Sequence, residues 1–464
     1  MIIDIKIKKG IIMLNKTKIF AASLSIAAAI ALTGCTATNV NEAMSKVETV
    51  KEKSILNAYS NIALTNYTDA LNDAIVLEKA INIFAMNPTT TNFIAAKKAW
   101  LISRESYGQT EIFRLSNGPI DAEEGWVADT YGALEGQLNA WPLDENMIDY
   151  TIDVNGAKTS GNIIDTIGSF NPGGEDAQTV NVKTITEDSL TALNENGGEA
   201  NVSTGYHAIE FILWGQDQDY SNFLKDSVTP GALTAGQRPL SDFTTAKNAD
   251  RRLAYLKASA AKIVNDLKTV TSAWEKDVSG NTGLYQAAVQ GKLTGPDASK
   301  NIDSKEALKQ IIAGMGVFIK SELANERIAV AVLTPSEEDE HSCFSDNTHR
   351  DILNNYLGFK NVLTSTYKGQ KFGASLLDSV DADTKANITT LMTSIEEKIN
   401  NIDEVAKTKE HFDYQIKASS PQSKVIVKLK NEMRKLGDEM VHVAKANGID
   451  LTSDDVTDAE ETQI

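Results

Sequence analysis

The sequence contains only five histidines, so a histidine close to a carboxylate is informative. His207 precedes Glu210 by three positions in the run Gly-Tyr-His-Ala-Ile-Glu that starts at Gly205. Side chains three positions apart lie on the same face of a helix, so this imidazole and this carboxylate can reach one metal ion. The apolar sequel Phe-Ile-Leu-Trp indicates a buried helix, in which a charged Glu210 is costly without a partner. The alternative is a structural histidine that is hydrogen-bonded to its carboxylate neighbour.

A second group of candidate ligands lies in the acidic stretch of residues 337–351. Its candidate ligands are Glu340, His341 and His349. Zinc takes three protein ligands and ferric iron prefers hard oxygen ligands, so side chains from this stretch would be needed to complete a tight site. The alternative is a solvated acidic loop in which Asp346 or Asn347 caps a helix that begins near Thr348.

A third stretch, residues 117–144, is rich in turn residues and aromatic residues. Trp141 within it either packs the loop or forms the wall of a cleft. Several other catalytic patterns are missing from the sequence: a His-Glu-x-x-His helix, a Gly-x-Ser-x-Gly elbow, a phosphate-binding loop and a Cys-x-x-Cys pair. Their absence excludes a conventional zincin.

Apolar residues recur at helical spacing along most of the chain, and no strand alternation competes with them. The predicted helices cover residues 40–86, 89–115, 248–278, 304–333, 381–404 and 422–446. Asn87-Pro88 separates the first two, which we expect to form a helical hairpin. The predicted fold class is therefore all-α, with elaborated loops at 136–200 and 216–247. We expect two helical-bundle lobes, residues 35–235 and 240–446, followed by a solvated acidic tail at 447–464.

Residues 1–34 predict a lipoprotein signal peptide, because lysines precede an apolar run that is shorter than the roughly 20 residues needed to span a bilayer. The sequence Leu-Thr-Gly-Cys at its end resembles a bacterial lipobox, in which Cys35 becomes lipid-modified and anchors the protein in the cell envelope. Thr36, rather than aspartate, favours the outer membrane, facing the periplasm or the cell surface. A secretory signal without lipid is the alternative.

Loss of residues 1–34, which carry five lysines and one aspartate, changes the net charge from −18 to −22. This acidity argues against nucleic acid as a partner and favours cations, including metal ions. The only other cysteine, Cys343, then has no intramolecular partner.

Three blocks of the sequence together resemble the imelysin-like family, in its iron-regulated protein A branch. They are residues 136–144, residues 205–217 with the Gly-x-His-x-x-Glu motif, and residues 338–349. The resemblance implies two helical lobes with the motif at a cleft between them. The motif maps onto Gly205, His207 and Glu210. If the site binds a metal, we expect His207 and Glu210 to be ligands, with Glu340, His341 or His349 completing the site, and Gly205, Trp141 and Asp346 to line the cleft. The implied ion is a divalent or ferric metal, with iron expected.

Three functions follow from these observations. The first is an envelope lipoprotein that binds iron or an iron complex and serves iron uptake or homeostasis with envelope iron-uptake proteins. The second is a metallopeptidase, in which Glu210 is a ligand or the general base for a bound water. The third is a non-catalytic protein that binds a polysaccharide or an envelope partner. Because the sequence shows no independent nucleophile and no full zinc triad, we expect a role other than catalysis.

Overall fold

Helices form most of the computed structural model, which describes residues 37–152, 156–216, 236–275, 283–333 and 339–459. The α-helices of these ranges are α1 (Ala37–Met86), α2 (Thr90–Thr110), α3 (Gly125–Tyr131), α4 (Glu135–Asn139), α5 (Glu145–Ile148), α6 (Glu187–Thr191), α7 (Gly205–Trp214), α8 (Ala249–Trp274), α9 (Leu284–Val289), α10 (Ser304–Val317), α11 (Val330–Leu333), α12 (Thr348–Thr364), α13 (Ala382–Thr408), α14 (Phe412–Ile416) and α15 (Ser423–Ala446). Residues Glu52–Ile464 form one compact unit.

Strands are few in the described ranges. Strand β1 (Ser169–Phe170) pairs antiparallel with β2 (Val180–Asn181), and β3 (Thr366–Tyr367) pairs antiparallel with β4 (Gln370–Lys371). Each ribbon has two residues per strand, which is too short to form a layer of its own. The predicted all-α fold class is confirmed.

Local sequence chemistry sets the ends of the long helices. Helix α1 ends before Asn87-Pro88, and Thr89 caps α2 by accepting a hydrogen bond from the backbone N–H of Asn92 at 3.3 Å. Helices α8, α13 and α15 lie within four residues of the segments predicted for them. The apolar spacing therefore located these helices correctly.

The start of α12 at Thr348 is also confirmed, but its predicted capping interaction is wrong. Asn347 occupies the N-cap position, and its side chain makes no capping hydrogen bond. The hydroxyl of Thr348 instead accepts a hydrogen bond from the backbone N–H of Ser342 at 3.1 Å. The loop before α12 is thus tied to the first residue of the helix.

Helices α2 and α12 pack so closely that each needs a glycine at the contact. A methyl group on Gly358 would lie 2.5 Å from the carbonyl oxygen of Gln109, and one on Gly108 would lie 2.9 Å from a side-chain carbon of α12. Both distances are too short for van der Waals contact, so larger side chains would push the helices apart. Arg104 lies one turn before Gly108, and Asp351 lies two turns before Gly358. The close crossing of α2 and α12 therefore sets the distance between the side chains of Arg104 and Asp351.

The helix that begins with α10 widens into a π-helix over Phe318–Ala329 before it ends with α11. Hydrogen bonds in a π-helix join residues five apart, which brings such side chains together. Glu322 and Arg327 have this spacing and form an ion pair at 2.8 Å. Because π-helical turns are frequent at functional sites, this segment is a candidate wall of such a site.

The acidic tail differs from the prediction of a solvated end. Ile449, Leu451 and Val456 are buried, and the side chain of Val456 occupies the space that a methyl group on Gly316 would take. The backbone N–H of Asp458 donates a hydrogen bond to the hydroxyl of Ser321 at 2.9 Å. The tail up to residue 458 is therefore packed on the helices, and the prediction is wrong for this part.

Three predictions are not tested by the fold. The signal peptide of residues 1–34 and the lipid-modified Cys35 lie outside the described residues. The proposed boundary between lobes, at residues 235–240, adjoins residues 217–235, which also lie outside them. Within the described part of the chain, no helix combines the length and apolar character needed to cross a membrane.

We expect Gly358→Ala to lower the free energy of unfolding by roughly 1–3 kcal/mol, because the added methyl group overlaps the α2 backbone. In a helix with free space at this position, the same change would raise the free energy of unfolding by about 1 kcal/mol. The sign of the change therefore shows whether the α2 backbone obstructs the added methyl group. Chemical denaturation of the two proteins measures it.

Gly198→Ala, in the loop between α6 and α7, is the control. A methyl group there would meet nothing closer than 3.9 Å, and we expect a change within about 0.5 kcal/mol. A Gly358→Ala protein as stable as the wild type would contradict the close crossing of α2 and α12.

Candidate metal site

The motif glycine places α7 against the end of α4. Gly205 has φ +87°, and a methyl group on it would lie 2.6 Å from the carbonyl oxygen of Leu138. The hydroxyl of Thr204 donates a hydrogen bond to the carbonyl oxygen of Gln137 at 2.9 Å. Only glycine permits this approach without strain, so Gly205 fixes where α7 begins.

Helix α7 is buried along its whole length, and it holds His207 and Glu210 in contact. Nδ1 of His207 and Oε2 of Glu210 are hydrogen-bonded at 3.0 Å. The other carboxylate oxygen, Oε1, accepts hydrogen bonds from the backbone N–H and the hydroxyl of Ser345, at 2.9 and 2.6 Å. Both oxygens of Glu210 are thus engaged by protein groups. This arrangement places Glu210 as the residue that orients His207.

The second nitrogen of His207, Nε2, is buried and has no hydrogen-bond partner among the described residues. Buried polar atoms are nearly always paired, so an orphaned one requires an explanation. A buried imidazole nitrogen with its ring held by a carboxylate is the usual state of a histidine that binds a metal ion.

His341 completes a pair of histidines at this place. The rings of His207 and His341 meet edge to face, with centroids 4.6 Å apart. Nδ1 of His341 is hydrogen-bonded to Oδ2 of Asp351 at 2.9 Å, and its ring packs against Trp141 with centroids 5.6 Å apart. The tertiary structure therefore brings two histidine–carboxylate pairs together. One pair lies on α7, and the other joins His341 in the loop before α12 to Asp351 in the first turn of that helix.

Asp351 is the hub of this arrangement, and sequence reasoning did not single it out. Its Oδ1 accepts two hydrogen bonds from the guanidinium of Arg104, at 3.3 and 3.1 Å, and its Oδ2 accepts one from the hydroxyl of Ser342. Arg104 also donates to the side-chain oxygen of Asn139. One sequence signal for Arg104 exists: it follows Trp100 by four positions, on the apolar face of the predicted helix.

Burial controls the protonation of the site. It lowers the pKa of His207, and the charges of His341 and Arg104 lower it further. Burial likewise lowers the pKa of His341. Both imidazoles are therefore neutral at pH 7, which is the form that binds metals.

The two carboxylates of the site respond to burial in opposite ways. Burial raises the pKa of Glu210 to about 8, despite the hydrogen bonds from Ser345 that oppose it. Burial alone would raise the pKa of Asp351, but Arg104 and His341 hold it well below its usual range. Asp351 is thus a fixed negative charge, and Glu210 is a group that can gain or lose a proton near neutral pH.

A cavity of 230 Å³ adjoins this site. Its lining includes Arg114, Trp141, Glu322, Glu326, Arg327 and His341. Glu322 lies 2.7 Å from Arg114 and 2.8 Å from Arg327. Burial would raise the pKa of Glu322, but these two guanidiniums lower it to about 2. The cavity therefore has charged walls, and one of them is the π-helix.

The remaining predicted site residues lie elsewhere or contribute differently. His349, in the first turn of α12, lies 3.7 Å from Asp403 of α13. Glu340 is buried and directly precedes His341. Asp346 contacts His411. These two residues and Asp413 place their possible ligand atoms within 4.8 Å of one another, and they are the one such group of three found among the described residues. The predicted five ligands are therefore not gathered into such a group.

Comparison with known proteins agrees with this fold and these motifs. The imelysin family model (Peptidase_M75) matches residues 63–440, which include His207, Glu210, His341 and Asp351. Iron-regulated protein A of Synechococcus elongatus is 23% identical over 322 residues, an alignment that covers 69% of this chain and 65% of that relative. The chain thus spans slightly less than two thirds of the length of this relative.

A solved structure shows the same fold. It is the 2.30 Å crystal structure described as an iron-regulated protein A precursor from Parabacteroides distasonis, with a TM-score of 0.56 at 16% identity. The superposition covers 85% of this chain and 95% of that one. Because the family model matches most of the sequence and the fold is shared, this chain belongs to the imelysin family.

Proposed function

We propose that this protein binds a metal ion at His207 and His341 and serves iron uptake or homeostasis in the cell envelope. The observation that carries the proposal is the buried Nε2 of His207, which has no partner among the described residues while Nδ1 is held by Glu210. When Glu210 is ionised, Nδ1 of the neutral imidazole carries the proton and donates a hydrogen bond to the carboxylate, so Nε2 offers its lone pair to a cation.

The surrounding residues support metal binding over a purely structural role. His341 supplies a second imidazole with its Nδ1 held by Asp351, so both histidines have the carboxylate partner that is typical of metal ligands. Two protein ligands leave coordination positions for water or for groups that come with the metal. The adjoining cavity of 230 Å³ offers space for them.

Iron is the metal that the comparisons favour. The relative in Synechococcus elongatus and the protein from Parabacteroides distasonis are both described as iron-regulated. Imidazole ligands suit ferrous iron, copper and zinc, whereas a purely ferric site would favour oxygen ligands. The proposed cargo is therefore ferrous iron or an iron complex that brings its own oxygen ligands, with envelope iron-uptake proteins as partners.

The same geometry favours binding over catalysis by Glu210. A general base needs an oxygen that can reach the proton of a bound water. Oε1 of Glu210 is held by Ser345 and Oε2 by His207. A peptidase would require Glu210 to give up one of these contacts.

The proposed location rests on the sequence before α1. Residues 1–34 have the features of a signal peptide, and Cys35 follows them in a lipobox-like run. A lipid-modified Cys35 would anchor an acidic protein in the outer membrane, where it would meet metal ions on their way into the cell.

His207→Ala should remove one equivalent of bound metal, because it deletes the orphaned imidazole nitrogen. Calorimetric titration of the metal-free protein with ferrous iron under anaerobic conditions, and separately with zinc and copper, measures this loss. His442→Ala is the matched control, since His442 is exposed on α15. Unchanged affinity for all three metals in His207→Ala would contradict the site.

Metal affinity at His207 should rise with pH up to about 8. Burial raises the pKa of Glu210 to about 8, so below that pH the carboxyl group is protonated and donates to Nδ1 of His207. The proton of the imidazole then sits on Nε2 and competes with the metal, which costs about tenfold in affinity per pH unit.

Glu210→Gln tests this linkage. The amide cannot ionise, so we expect the pH dependence between about 6 and 8 to disappear and the affinity to fall by about 10–100-fold. Titrations at several pH values measure both effects. An equal pH slope in the two proteins would show that Glu210 does not control the proton on His207.

Cys35→Ser should move the protein from the membrane fraction to the soluble fraction of the cell envelope, because it removes the thiol that carries the lipid. Fractionation and metabolic labelling with a fatty acid measure this change. Cys343→Ser is the control and should retain both lipid and location. A Cys35→Ser protein that stays with the membrane would contradict the lipid anchor.

A further inference from the structure

A second group of metal-binding side chains lies outside the His207 site. Asp346, His411 and Asp413 each place one ligand-type atom within 4.8 Å of the others. Both aspartates are buried, and His411 is 14% exposed. We propose that these three side chains form a second metal site, for a divalent transition-metal cation.

Two separate segments build this group. His411 directly precedes α14, and Asp413 is the second residue of that helix. Phe412 between them is fully buried and anchors the start of α14 in the core. Asp346 lies near the end of the loop 339–347, two residues before α12. The site therefore joins this loop to the turn between α13 and α14.

The donor set matches a divalent cation in number, type and charge. One imidazole and two carboxylates give three protein ligands, which zinc and ferrous iron bind while they keep further positions for water. Two ionised aspartates carry a charge of −2, which a divalent cation balances. A cation bound by all three side chains would link the loop 339–347 to the start of α14 and would thereby stabilise the loop. Asp346 and His411 are already in direct contact, which brings two of the three ligand atoms together.

The second site is connected to the His207 site through the loop 339–347, which contacts both. Ser345, next to Asp346, donates both of its hydrogen bonds to Glu210, and His341 lies in the same loop. A metal on Asp346 would hold the loop that positions these residues. A metal at the second site is thus expected to hold Ser345 and His341 in their contacts with Glu210 and His207. The second site itself can be occupied whether or not a metal is bound at His207.

Zinc binding to the full-length protein tests the proposal, because zinc is redox-inert and accepts both imidazole and carboxylate ligands. Variants are compared in a His207→Ala background, so that the first site does not contribute. This background should still bind one equivalent of zinc. Adding Asp413→Asn, which keeps the shape of the side chain, should weaken that binding at least tenfold.

Asp378→Asn in the same background is the control. Asp378 is 53% exposed and pairs with Lys371 and Lys385, so its loss should leave zinc binding unchanged. His411→Ala is the second variant if Asp413→Asn fails to fold, as circular dichroism would show. It should weaken zinc binding to the same degree.

Crystals of the wild-type protein soaked in zinc give an answer that needs no variant. Anomalous scattering should show a peak in contact with Asp346, His411 and Asp413. A missing peak, or equal zinc binding with and without Asp413→Asn, overturns the second site. Unchanged metal binding in His207→Ala instead contradicts the function proposed above, so the two failures are distinguishable.

Discussion

The buried ion pair between Arg104 and Asp351 is the interaction on which the site depends. Both side chains are almost fully excluded from water, and such a pair is stable only if its remaining hydrogen-bonding positions are filled. Asn139 fills one position on Arg104, and His341 and Ser342 fill those on Asp351. Loss of one partner would leave a lone buried charge, at a cost of about 3–5 kcal/mol. The close crossing of α2 and α12 is what allows the two charges to meet.

From this pair the arrangement extends into the loop 339–347. The loop is held at three points: His341 bonds to Asp351, Ser345 bonds to Glu210, and Asp346 contacts His411. Each of these three contacts is made with a different helix or turn, so the position of the loop depends on all three. This explains how one loop can serve the histidine pair and, by our proposal, a second metal site. It also explains why both oxygens of Glu210 are held in place.

The helices were largely predictable from the sequence because helical periodicity is local. Apolar positions and breakers such as Asn87-Pro88 located the long helices within a few residues. The acidic tail was not predictable in this way. Its charges indicate a solvated end, but Val456 is buried against Gly316, which lies 140 positions earlier in the chain. Composition indicates that the charges of this tail can be solvated. Whether its apolar residues are buried depends on the space available on distant helices, here the space beside Gly316.

The same division holds for the site. The sequence by itself determined that His207 and Glu210 would be neighbours, because three positions on a helix fix their distance, and it identified the family. Only the tertiary structure placed the ring of His341 against that of His207 and brought Arg104 to Asp351. These contacts join residues more than a hundred positions apart, and no local spacing encodes them. They exist because helices that bury their apolar faces must also pair the charges they carry inside.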